Sequence, residues 1–528
     1  MHKRKANQIS LFDDATMFGS TPLDPANEWV KLSKLIPWDV AEEEYAKNFL
    51  SPTGQPACSA RMALGSLIIK ERYGSSDEDV VGEIRMNPYL QFFLGMHTFT
   101  HHAPFDASML TRFRKRFSPE MIARINDIVI ERSRADGSHP DQEETCAGKQ
   151  ENAPLPDISN NQTGSEPDAS CETQDAEACT GSDQPSESSP DSVNSGTLIL
   201  DATCAPQHIR FPTDTSLLNE ARESLEGFID LLHAAALTNG KKPRTYREKA
   251  HRDYIRFVKN RKKSAKLIRK AIGRQLGYLQ RDILHVLKIE EDNASAFSGV
   301  LTKAQTEKLA VCILLFLQQQ KMFESGSHSI PNRIVSLCQH WVRPILRGKQ
   351  TADVEFGAKI EASLVGGYAR IEKLSWDPFN EGGTLIGSVE AFRRDYGHYP
   401  KKVLVDKIFR TRENMRYCKE HGIHMNGPKL GRRPDDPALY RQQLRDEWLE
   451  SGERGAIERD FGVAKTRYSL DSIFMKLKHT SEVAIHVCFL TRNLWRKLRL
   501  LLCLLFSDAH RTIWADLTVH FLWIECVP

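Results

Sequence analysis

Residues 136–195 hold fourteen Asp and Glu against one base, Lys149, and are otherwise rich in Ser, Pro, Gly, Asn and Gln, with almost no aromatic or branched side chains. Such a stretch cannot bury enough apolar surface to offset the entropy lost on ordering, so a disordered linker is expected there. It divides the chain into an N-terminal unit, 1–135, and a larger unit that begins near residue 196. With 528 residues, 40% of them hydrophobic, both units are large enough to bury a core. The linker carries a charge of −13, so the rest of a chain whose net charge is +3 carries +16. That excess suits a polyanionic partner, although a solvated basic surface is equally consistent with charge alone.

Several classes are disfavoured. The longest apolar run, 500–506, is far short of the roughly 20 residues a membrane helix needs. The opening MHKRKANQISLFDD has no apolar signal core, so a cytoplasmic chain without a membrane partner is expected. Eleven cysteines stand singly with no CxxC pair, which argues against a disulfide framework or a zinc ribbon. His101 and His102 have no third ligand at metal-binding spacing and read as surface residues.

The N-terminal unit reads as short helices. SARMALGSLIIKERYG has apolar periodicity, Ser76 and Ser108 are candidate N-caps, and Ser118 precedes a proline at the first helical position. In SMLTRFRKRF, Leu110, Phe113 and Phe117 form an inward stripe, leaving Arg112, Lys115 and Arg116 largely outward. With Arg114 they are the candidates for DNA docking; the alternative is the charged surface of an ordinary helical bundle.

Beyond the linker, GTLILDATCAPQ predicts a buried strand ending in Asp201, and KKVLVD a second strand ending in Asp406. Between them, VEFGAKIEASLVGGYARIEKLSW predicts a hairpin turning at Gly366 and Gly367. About 135 residues of helical periodicity separate the first strand from the hairpin, too many for a loop, so a helical insertion is expected over 215–350. GAIERDFGVAKTRYSL predicts a helix on which Arg454, Glu458, Phe461 and Lys465 share one face. Two strand-borne aspartates and a helical glutamate supply hard oxygen ligands that suit Mg²⁺, with cations beside them for phosphates. Taken singly, strand-end aspartates are common turn formers, and Arg454 with Glu458 is also the spacing of a surface ion pair.

Together these segments resemble the DDE transposases of bacterial insertion sequences. Arg454, Glu458 and Lys465 match the last three positions of that family's Tyr-x2-Arg-x3-Glu-x6-Lys signature, with Ser451 at the tyrosine position. IERDFGVAKTRYSLDSIFMKLKHTSE, ILDATCAPQHIRFPTDTSLLNEARE and DKIFRTRENMRYCKEHGIHMNGPKLGRRP resemble the family segments around the three acids. KERYGSSDEDVVGEIRMNPYLQFFLG and DASMLTRFRKRF resemble the helical domain that precedes them.

The resemblance implies an all-α DNA-binding domain over 1–135. It also implies an α/β catalytic domain similar to ribonuclease H, a mixed sheet with flanking helices, over 196–214 and 351–507. Asp201, Asp406 and Glu458 would be both catalytic and metal-ligating, holding two Mg²⁺ for which Mn²⁺ can substitute. Double-stranded DNA, as terminal inverted repeats and as target, is the implied partner, with a homodimer in the DNA complex and no small-molecule substrate. Arg454 and Lys465 are expected to contact DNA, as are Lys429, Arg432 and Arg433 in the GPKLGRRP loop. The basic, aromatic-interleaved run GKKPRTYREKAHRDYIRFVKNRKKSAKLIRK is a further candidate. A nuclease that cuts without joining, and a remnant that only binds DNA, stay open as alternatives. The tail 508–528 suggests no role.

Overall fold

In the computed structural model the described residues are 17–18, 21–49, 57–135, 194–235, 241–292, 300–346, 354–428 and 436–524, with side chains described as far as 502. Residues 136–193 of the acidic linker and Lys429, Arg432 and Arg433 lie outside them.

Among the described residues seven helices form the N-terminal part: α1 (Glu28–Leu35), α2 (Trp38–Ala46), α3 (Ala60–Tyr73), α4 (Asp77–Met86), α5 (Pro88–Phe93), α6 (Ser108–Arg116) and α7 (Pro119–Ala135). A two-residue ladder, β1 (Met17–Phe18) with β2 (Thr21–Pro22), precedes them. Local chemistry sets the boundaries. Ser59 and Ser76 cap α3 and α4 by accepting from the N–H groups of Met62 and Asp79, and Gly74 ends α3 in the left-handed region at φ 66°. Ser118 Oγ accepts from Met121 N at 3.2 Å. The expected cap at Ser108 is corrected: Ser108 is the first helical residue, and the Asp106 carboxylate accepts its N–H at 2.9 Å.

The sheet comprises β3 (Thr197–Pro206), β4 (Arg343–Leu346), β5 (Val354–Val365), β6 (Tyr368–Ser375), β7 (Lys402–Leu404) and β8 (His424–Met425). β5 pairs antiparallel with β3, β4 and β6, whereas β7 runs parallel to both β3 and β8. This is the expected mixed sheet, and the expected hairpin turns at Gly366 and Gly367, whose φ values of 56° and 76° a two-residue turn of this kind requires. Gly357 is needed for a different reason: a Cβ there would stand 2.0 Å from the carbonyl oxygen of Ala205 on β3.

Three expected boundaries move. β3 continues past Asp201 to Pro206, because Ala202 to Pro206 find partners along β5, so Asp201 sits in mid-strand. β7 stops at Leu404, before Asp406. The insertion, placed by sequence at 215–350, ends earlier, since β4 pairs with β5 and belongs to the sheet. Its helices are α8 (Asp214–Ala235), α9 (Arg247–Lys259), α10 (Ala265–Asp292) and α11 (Lys303–Ser325), around a core of their own that includes Leu218, Leu225, Leu279 and Leu315.

Helix α12 (Leu385–Tyr396) and α13 (Arg412–Glu420) cover one face of the sheet, and Leu198, Leu200, Val403 and Val405 point into that core. The other face carries α14 (Pro437–Arg467) and α15 (Lys478–Ile524). Ile199, Ala205, Ala362 and Leu404 there join Ile457 and Phe461 of α14, Leu490 and Trp495 of α15, and Trp29, Leu64 and Phe113 of the N-terminal helices in a single core. The two units separated by the linker in sequence therefore share one interior. The catalytic-domain end expected at 507 also falls inside a helix, because α15 runs on to Ile524.

Candidate active site

Strand alternation decides which way Asp201 faces. Its odd-numbered neighbours Ile199 and Ala205 lie in the α14 core, while the even-numbered Leu198 and Leu200 lie in the opposite one. Asp201 is thus on the α14 side. Ile199 pairs with Leu404 across the parallel β3–β7 ladder, and Leu404 also faces α14. Two residues farther on each chain come Asp201 and Asp406.

Asp406 lies beyond the last ladder residue, at a backbone position fixed by Asn426. The Asn426 side chain accepts from Val405 N at 2.7 Å and donates to Val405 O at 3.1 Å, taking the place of a strand partner. Asp406 then caps a short 3-10 turn, Lys407–Phe409, accepting from Lys407 N at 2.7 Å.

Helix α14 is pinned across the strand ends by Lys402 with Glu453 at 2.7 Å and His424 with Glu450 at 2.5 Å. Ile457 and Phe461 are buried beneath it. The ring of Phe461 anchors the helix as the spacing predicts, which turns Arg454 and Glu458 toward the strand end. Arg454 joins two of the three candidate acids: Nη2 lies 2.7 Å from Glu458 Oε1 and Nη1 lies 3.7 Å from Asp201 Oδ2.

Asp201 is largely enclosed, and burial raises its pKa to about 6, opposed by the Ala202 N–H and the Arg454 charge, with Glu381 and Glu458 pushing it up further. Glu458 remains more than half exposed. Among the described residues no three acids, histidines or cysteines are drawn close enough to enclose a metal ion, since Glu458 is turned onto Arg454 and Asp406 onto its own turn. The donor set nevertheless fits a hard divalent cation: one carboxylate within β3, one just past the end of the adjacent β7, and a partly exposed glutamate on α14.

The basic candidates separate sharply. Lys465 lies on the same helix, 4.0 Å from Glu355. Arg112 and Lys115 are exposed on α6. Arg114, expected among the DNA contacts, is corrected: it is 5% exposed and its guanidinium donates to Asp77 at 3.0 Å, tying α6 to the start of α4. Arg116 is half-buried, donating to Tyr45 Oη at 3.1 Å with its guanidinium over the Phe49 ring. Sequence reading missed Asn426, whose partner backbone is distant in the chain, and Glu381, paired with Lys359 at 2.8 Å. Neither residue type nor spacing marks either one. No helix among the described residues is long and apolar enough to cross a membrane.

Comparison with known proteins bears on this geometry at two places. Residues 403–495, which contain Asp406, Arg454, Glu458 and Lys465, match the family model described as a transposase DDE domain. Residues 21–116, helices α1 to α6, match the model described as a transposase domain of the DUF772 type. The chain is 37% identical over 109 residues, 21% of its length, to an uncharacterised protein, ORF8 in the nfe locus of Rhizobium meliloti. The aligned segment spans about half of that relative, 52%. No solved structure matches. Both matched models are transposase domains, one lying in the N-terminal helices and the other across the strand end and α14.

Proposed function

We propose that this chain binds the ends of an insertion sequence and catalyses DNA cleavage and strand transfer dependent on a divalent metal, with Asp201, Asp406 and Glu458 as the catalytic carboxylates. The reading takes the mixed sheet with its flanking helices as a ribonuclease H-like catalytic domain. The observation that carries it is Arg454, which spans Asp201 and Glu458 on the face where the β3–β7 register also leads to Asp406.

Asp201, Asp406 and Glu458 would hold two Mg²⁺, or Mn²⁺ in their place, and such a pair supplies activation of the attacking oxygen and stabilisation of the leaving one. The protein's own groups do the rest. Arg454, once released from the carboxylates, and Lys465 are positioned to bind phosphate oxygens and hold the scissile phosphorus in line. In the first step a water oxygen bonds to phosphorus and the bond to the DNA 3′ oxygen breaks. In the second, that freed 3′-hydroxyl attacks a phosphorus of the target, and a target 3′ oxygen leaves. No covalent link to the protein is required. Arg112 and Lys115 on α6, with Lys429, Arg432 and Arg433, are assigned to flanking DNA backbone, and a homodimer to holding two ends together.

The test is cleavage and joining of DNA carrying the element's own ends, in Mg²⁺ and in Mn²⁺, by the native chain and by Asp201→Ala, Asp406→Ala and Glu458→Ala. Native activity lost in each variant while DNA binding persists is the expected result. Cleavage without joining would favour the nuclease alternative, and binding without cleavage in either metal would favour the DNA-binding remnant.

A further inference from the structure

The turn between β6 and α12 sets a further carboxylate beside the candidate site. Asn380 caps it, its side chain accepting from Gly382 N at 3.0 Å, so that Glu381 opens a 3-10 turn, Glu381–Gly383. This turn is stitched to the one that Asp406 caps. Asn414, buried on α13, donates its amide to Gly382 O and to Phe409 O, each at 2.7 Å. The two turns are so close that a Cβ at position 382 would stand 2.8 Å from the carbonyl oxygen of Ile408. From there the Glu381 side chain reaches Lys359 of β5, whose Nζ lies 2.8 Å from Oε1 and also donates to Phe379 O at 2.8 Å. Lys359 stands opposite Cys204, three residues along β3 from Asp201. Glu381 is thus held at the Asp406 turn on one side and at the strand paired with Asp201's own on the other. Its charge is felt there: after burial, which is the first cause of the raised Asp201 pKa, Glu381 pushes it up more strongly than Glu458 does.

We infer that Glu381 is a fourth ligand of the divalent metal, joining Asp201, Asp406 and Glu458, and that Lys359 is the cation a metal ion displaces from it. The inference rests on the three-carboxylate reading proposed above. Charge balance favours it: two divalent cations carry four positive charges, which Asp201, Asp406 and Glu458 leave one short of neutral and Glu381 completes. The arrangement of cations favours it too. Arg454 stands on Asp201 and Glu458 from one side, and Lys359 stands on Glu381 from another, so each of these acids has a side-chain cation where a metal would supply the charge. As a brace alone the pair would contribute little, because both of its groups are largely enclosed and the cost of desolvating them offsets their attraction. Lys359, once displaced, keeps the Phe379 carbonyl and the Phe379 ring, 4.7 Å away, as partners.

The test is Mn²⁺ binding, followed by electron paramagnetic resonance, to the full chain and to Glu381→Gln, Lys359→Met and the double variant. Glu381→Gln is expected to weaken binding at least about tenfold. Lys359→Met should have the opposite sign and tighten it at least about threefold, because it removes the competitor for Glu381. The double variant should bind as Glu381→Gln does, since Lys359 acts through that carboxylate. Thermal unfolding in metal-free buffer checks that each variant folds; should one single variant fail to, the sign of the other's shift decides. Native-like binding in Glu381→Gln would overturn the assignment. So would a gain from Lys359→Met that persists undiminished in the double variant, which is the mark of charge acting at a distance. In either case weakened binding in Asp201→Asn would leave the three-carboxylate reading standing, whereas absence of saturable Mn²⁺ binding by the native chain would overturn both.

Discussion

In the body of the molecule, residues from Trp29 to Leu498 meet in one core, whereas every core residue of the insertion comes from the single run between Leu217 and Leu337. The body is welded from distant pieces of chain. At its centre, Asn493 on α15 donates to Asn126 on α7 and to Ala369 O on β6, and accepts from Ala369 N. The insertion is a bundle whose helices follow one another in sequence, and its own long joints, Gln319 and Arg333 donating to Asp214, stay within that one run. On the function proposed above, this difference suits the two regions to different work. A catalytic constellation drawn from β3, β7 and α14 needs a frame that holds remote segments in register, while a DNA-contacting arm needs only to be carried by it.

The contrast can be broken most strongly at the weld. Asn493→Leu leaves buried groups of Ala369 and Asn126 without partners and is expected to cost about 4 kcal/mol in urea unfolding. Hydrogen exchange should then show lost protection in α7, β6 and α15 but not in α8 to α11. The converse substitution is Leu279→Ala in the insertion core, with an expected cost of about 3 kcal/mol. Its exchange signature should stay within the insertion; spread into the sheet would mean that the two cores unfold as one.

A pH-dependent test sharpens the account of the weld. Glu71 of α3 is buried where the helix meets Ser469, and burial raises its pKa from 4.5 to about 7. The folded chain therefore keeps a proton that the unfolded chain loses between those values, so this group's contribution to stability is full below pH 4.5 and is lost as pH rises through about 7. Glu71→Gln should stabilise the body by about 2 kcal/mol at pH 8 and have little effect near pH 4. A melting temperature equally changed at both values would contradict the burial argument. The smallest expected effect is at a helix end: Ser76→Ala removes the acceptor for Asp79 N and should cost about 1 kcal/mol, read from thermal unfolding.

Much of this was legible where the determinants are local. Periodicity located the helices, paired glycines at 366 and 367 the hairpin, and helical spacing the shared face of Arg454, Glu458 and Phe461. What depends on a remote partner was not legible. The ladder to β5 extends β3 past Asp201, the same strand draws Arg343–Leu346 out of the insertion, and Asp77 draws Arg114 inward from a stretch that reads as a basic surface. The candidate site divides in the same way: strand ends, a helical face and the family resemblance led to Asp201, Asp406 and Glu458 as candidates, but the Asn426 amide that fixes the chain before Asp406 has no local signature.

The central claim is that these three carboxylates share a metal site, and direct metal binding tests it without requiring knowledge of the DNA ends. Mn²⁺ binding would be followed by electron paramagnetic resonance in the native chain and in Asp201→Asn, Asp406→Asn and Glu458→Gln. The account predicts saturable binding by the native chain, weakened at least about tenfold in each variant. Native-like binding in all three variants would contradict it.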